Sequence, residues 1–122
     1  RRFRELPPEI YPKCIVTSNI PTDEPYIKVN YFDLLLPNDV VRDNAGLMAI
    51  NYLKSLEVHD IYLAGFDGYS HDSQQNYALQ SMDFAVKNAI ADARNLGMIE
   101  ALKAFKKEVN ITWVTTPKYV VI

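Results

Sequence analysis

Residues 60–68 read DIYLAGFDG. No polar residue interrupts the run from Ile61 to Ala64, so the stretch is expected to be a strand covered on both faces. Gly65 and Gly68 flank Phe66-Asp67 at its end, which calls for a corner with unusual backbone torsions or a close backbone approach. What surrounds this strand narrows the fold further. Upstream, Leu47, Ile50, Leu53 and Leu56, widened by Met48, Ala49 and Tyr52, mark the buried stripe of a helix over 44–57, with Asp43 as its N-cap. Downstream, Met82, Val86, Ala89, Ala93, Leu96, Ile99, Leu102 and Phe105 recur at three- and four-residue spacing. They predict one long helix, or two that meet near Gly97, with Asp83 and Lys87 able to pair on it. Ile111–Thr115 is then a second buried strand, stopped by Pro117.

The first third of the chain is less regular. Pro7, Pro8 and Pro12 break residues 1–12, and Pro12 is expected to end regular structure there. Strands are expected at Cys14–Ser18 and, from alternation, at Tyr26–Tyr31. The link between them is short for a parallel crossover. Two arrangements therefore stay open: an antiparallel pair, or parallel strands that are not neighbours. Taken together, the elements alternate as a parallel α/β architecture does. The expectation is one Rossmann-like three-layer domain over 1–122, with a mostly parallel sheet. The chain opens RRFREL and its first methionine is Met48, which suggests a fragment of a longer protein.

Charge and composition exclude several roles. A net charge of −2 offers no basic surface for nucleic acid or an anionic membrane, and no apolar run is long enough to span a bilayer. The single cysteine, Cys14, lies in an apolar run and reads as a core thiol; a cytoplasmic setting is the expectation. His59 and His71 lack partners at metal-ligand spacing, and no P-loop, nucleophile elbow or dinucleotide fingerprint is present. His71, near Asp67, Tyr69 and Asp72, is either an acid–base group or a solvated loop histidine. Lys103, Lys106 and Lys107 read as a solvated helix end.

Ligands of open parallel sheets bind beyond the carboxyl ends of the strands. That edge carries Ser18 and Asn19, Gly65, Asp67 and Tyr69, and the helix start at Asn44 and Gly46. These seven are the candidate ligand-binding residues; none is assigned a catalytic or metal-binding role. Polar loop starts are also what water contact alone would select. Asp67 has two readings, a ligand contact or a hydrogen bond to its own turn.

The run RDNAGLMAINYLKSLEVHDIYLAGFDGYS, with NITWVTTPKY near the end, resembles the C-terminal domain of predicted aldolases. The motifs are Thr17-Ser18-Asn19, Asp43-Asn44-Ala45-Gly46, Ala64-Gly65-Phe66-Asp67-Gly68 and Thr115-Thr116-Pro117, and the resemblance extends from about Arg2 to Tyr119. Those proteins carry an N-terminal barrel similar to 4-hydroxy-2-oxovalerate aldolase and hydroxymethylglutaryl-CoA lyase. The resemblance implies that carbon–carbon lyase chemistry and its divalent metal belong to an upstream barrel, with no cofactor in the present domain. It implies an accessory domain partnered by that barrel and open to homo-oligomers. The polar strand ends and the helix entry at Asn44–Gly46 add the expectation of a small polar ligand, such as a nucleotide or sugar phosphate. A more distant similarity is to the nucleotide-sugar-binding fold of bacterial sialyltransferases, carried by Ala45-Gly46 and Gly65-Phe66-Asp67. There a catalytic histidine would fall near Ala93, where none occurs. A structural or oligomerisation module and a glycosyltransferase-like transferase are the alternatives.

Overall fold

In the computed structural model, which describes residues 5–22, 27–71 and 88–122, the chain divides into two units, Arg1–Leu35 and Leu36–Ile122. In the first unit a 3-10 helix, Pro8–Lys13, runs through Pro12. Its flanking bonds, Ile10 N to Pro7 O and Cys14 N to Tyr11 O, both bypass the proline nitrogen. Pro12 therefore ends nothing, contrary to the sequence expectation, because no bond needed its N–H. Pro8 lies in the first turn, where a missing donor is harmless.

Strands β1 (Ile15–Thr17) and β2 (Ile27–Val29) follow and are directly paired in parallel, with Ile15 opposite Ile27 and Thr17 opposite Val29. Neither of the two expected arrangements holds. The usual long crossover reflects a helix that must travel back over a sheet. These strands are three residues long, so the return covers only about 10 Å. The chain turns at once: Ile20 N donates to Thr17 O at 3.0 Å, and Ser18 N extends the ladder to Val29 O at 2.8 Å. Among the described residues of this unit, Val16 and Leu34 are buried. Cys14 is half-buried, its thiol donating to Ile10 O at 3.4 Å, rather than enclosed in a core.

The second unit contains α1 (Ala45–Ser55), β3 (Asp60–Leu63), α2 (Asn88–Phe105) and β4 (Asn110–Trp113). Asn44, not Asp43, is the N-cap of α1: its Oδ1 accepts from Leu47 N at 3.1 Å. At the other end Val58 N returns to Leu53 O and Glu57 N to Lys54 O, a Schellman pattern. That pattern needs a left-handed residue after the cap, and Glu57 supplies it with φ 62° although glycine would do so with less strain. Helix α2 is continuous through Gly97, so the two-helix option falls away for the described part; residues 82–87, with the Asp83–Lys87 pairing, lie outside it. Gly97 is small for a packing reason: a Cβ there would stand 3.0 Å from Asn38 Oδ1 and from both Val41 methyls.

Strands β3 and β4 pair in parallel, Ile61 opposite Ile111 and Leu63 opposite Trp113, and α2 lies between them in sequence. Ile61 and Leu63 are buried together with Leu47 and Ile50 of α1 and Ala91, Met98, Leu102 and Phe105 of α2. The opposite face of the pair is open: Tyr62 is 69% and Val114 63% exposed. The strand thus differs from the two-sided burial that its apolar run suggested. The tyrosine hydroxyl lets Tyr62 stand in water where an aliphatic residue would resist it. The described residues form a mixed helix and strand fold with two small parallel pairs. None of its helices is long and apolar enough to cross a membrane.

Candidate functional site

The corner after β3 is tied down from three directions. Gly65, at φ 74°, donates its N–H to Thr115 Oγ1 at 2.8 Å, which joins it to the chain leaving β4. Asp67 accepts from Tyr119 N at 2.8 Å through its main-chain carbonyl. Tyr69 is held by Asn95 of α2, whose Oδ1 accepts from Tyr69 N at 2.6 Å and whose Nδ2 donates to Tyr69 O at 2.8 Å. Both bonds are part-buried, so each matters more than a solvent-exposed one.

Gly68 sits inside this knot at φ 90°. A Cβ there would meet Asn95 Oδ1 and Val120 Cγ2, each at 2.6 Å. Val120 is fully buried, so it has little room to yield. Gly65 is different: its positive φ requires glycine, yet the space its Cβ would enter is open. Two further contacts from α2 bracket the corner. The Arg94 guanidinium lies 5.1 Å from the Tyr69 ring centroid, and His71 Nε2 lies 2.7 Å from Asp92 Oδ1. The last pair is well exposed and adds little to the hold.

Beside the corner is an open cleft of about 200 Å³, lined by Asn44, Gly46, Gly65, Phe66, Gly68, Tyr69 and Met98. It therefore gathers four of the residues expected from sequence: Asn44, Gly46, Gly65 and Tyr69. At Gly46 a Cβ would stand 2.5 Å from the tip of the Phe66 ring, so the glycine makes room for an aromatic wall at the start of α1. No charged side chain lines the cleft among the described residues.

The other expected residues lie elsewhere. Asp67 is half-buried in the corner but does not line the cleft. Its carboxylate has no hydrogen-bond partner among the described residues, so it does not brace its own turn. Ser18 and Asn19 belong to the first unit, and the Ser18 hydroxyl accepts from Tyr31 N at 3.0 Å, tying the exit of β1 to the exit of β2. His59 is exposed and follows α1, and no group of His, Cys, Asp or Glu among the described residues could hold a metal.

Phe66, Met98 and Asn95 are the contributors that residue patterns did not single out. Phe66 was visible inside the Gly65-to-Gly68 motif. Met98 falls outside the apolar series read along the helix, although it is buried on α2. Asn95 acts on a backbone 26 residues away, and no local spacing announces such a bond.

No family model matches this chain, and neither a curated protein nor a solved structure matches it.

Proposed function

We propose that this chain is an accessory ligand-binding domain of an aldolase-like enzyme, and that the cleft at the end of β3 holds a small polar ligand. The observation that carries the binding part is convergence. Asn44 and Gly46 at the start of α1 and Gly65 and Tyr69 after β3 are distant in sequence and line one cleft. The β3–α2–β4 unit, with its parallel pairing, is the building block of Rossmann-like sheets, whose ligands sit at strand carboxyl ends. The aldolase context rests on the motif resemblance alone. In that context lyase chemistry and its divalent metal belong to an upstream barrel, and this domain contributes binding.

Thermal-shift measurement against nucleosides, nucleotides and sugar phosphates tests the binding reading. A ligand at one hundred times its Kd raises stability by about 2.7 kcal/mol, which is readily detected. Failure of every compound to raise the melting temperature would overturn it.

An assembly module is the second reading, favoured by Tyr62 and Val114 standing exposed on one face of the β3–β4 pair. It predicts a concentration-dependent dimer in size-exclusion chromatography that Tyr62→Lys abolishes. A chain that elutes as a monomer at every concentration excludes it.

A further inference from the structure

The lining of the cleft says which part of a ligand it would take. We infer that it receives an uncharged heteroaromatic ring of the nucleobase class, stacked against Tyr69 and Phe66, and leaves any phosphate outside. This rests on the ligand-binding reading above and deepens it.

Three observations support the ring over the anion. First, the described lining holds no lysine, arginine or histidine. A buried phosphate needs charge-assisted donors, and Arg94 is instead engaged over the Tyr69 ring. Second, the start of α1 is already occupied. Asn44 Oδ1 accepts from Leu47 N, one of the free donors that would otherwise face an anion, and Asp43 stands beside it. Third, the walls suit a flat ring. Phe66 and Tyr69 supply aromatic surface, Met98 a polarizable thioether, and Gly65, with open space where a Cβ would stand, lets a ligand approach the backbone.

Volume points the same way. At about 200 Å³ the cleft is smaller than the roughly 300–1,000 Å³ usual for whole-ligand pockets, so it seats one ring-sized moiety. Polarity within it is directional. With Oδ1 committed to the cap, Asn44 retains Nδ2 as a donor for a ring acceptor. Tyr69 is positioned before any ligand arrives, because Asn95 holds its backbone and Arg94 covers one ring face. Preorganised aromatic surface loses little entropy on stacking.

The test is titration of the 122-residue chain with adenosine, cytidine, their 5′-monophosphates, ribose 5-phosphate and inorganic phosphate, followed by amide chemical shifts and calorimetry. The expected result is saturable binding of at least one nucleoside, with shifts at Gly65, Gly68 and Tyr69. The matching monophosphate should bind within about threefold, and the two ring-free phosphates should not bind. Tyr69→Leu and Phe66→Leu keep apolar bulk but remove the rings, and each should weaken nucleoside binding roughly tenfold or more. Tyr69→Phe should keep it. If ribose 5-phosphate or inorganic phosphate binds while both nucleosides fail, the ring assignment is overturned and the ligand-binding reading stands. Nucleoside binding indifferent to both leucine variants, with their folds intact by circular dichroism, overturns the assignment to this cleft. If no compound binds, both readings fall.

Discussion

Asn95→Ala isolates the clamp that holds the corner on α2. The substitution removes the acceptor for Tyr69 N and the donor for Tyr69 O, at 2.6 and 2.8 Å in the native fold. Each bond contributes about 1 kcal/mol net, and a backbone group left without its partner away from water adds to the loss. Both sites are part-buried, so a combined loss of about 3 kcal/mol is reasonable. Alanine recovers roughly 0.6 kcal/mol through helix propensity at this mid-helix position. The net expectation is a destabilisation of about 2 kcal/mol, or a drop of roughly 10 °C in melting temperature for a domain of this size. Urea unfolding followed by circular dichroism measures the first quantity, with unchanged slope if the denatured state is unaffected. Native-state hydrogen exchange at the Tyr69 amide gives an independent local readout, since Asn95 is its acceptor. A loss below about 0.5 kcal/mol, or undiminished protection at Tyr69, would refute the reasoning that the clamp organises the corner.

The remaining predictions concern the same region and the end of α1. Gly68→Ala forces a Cβ to 2.6 Å from Val120 and Asn95 at φ 90°, and combined overpacking and left-handed strain should cost about 3 kcal/mol or more in thermal or chemical unfolding. Glu57→Gly relieves the left-handed residue of the Schellman turn and should stabilise by about 0.5–1 kcal/mol; a lower urea midpoint would contradict that assignment. Asp67→Asn should change stability by less than about 0.5 kcal/mol and nucleoside affinity by less than about twofold, because the carboxylate makes no hydrogen bond among the described residues and does not line the cleft. A large change in either, measured by unfolding and calorimetry, would give that carboxylate a role the geometry denies.

Local chemistry made much of the fold legible. The strand at β3, the helix before it and the strand at β4 lie where apolar periodicity and Pro117 put them, within a residue or two. The cap of α1 was missed by one position because Asp43 and Asn44 are both good caps, and only the chain's approach direction chooses between them. The pairing of β1 with β2 is not legible from the length of their link, because three-residue strands need only a short return. The open face at Tyr62 was missed because an unbroken apolar run cannot report how many faces are covered.

The site divides in the same way. Glycine at 65 and 68 required a special corner, and that requirement was visible in DIYLAGFDG itself, since a positive φ is a property of the residue and its neighbours. Which groups meet at the corner was not visible. Asn95 reaches Tyr69, Phe66 comes to rest on Gly46 and Tyr119 bonds to Asp67 only after α1, α2 and the segment beyond β4 have packed. Sequence by itself determined the elements and the corner, because hydrophobic period and backbone sterics act over a few residues. Tertiary structure alone decided that Asp67 stands aside and that a neutral, aromatic cleft opens next to it, because those outcomes depend on contacts between segments far apart in the chain.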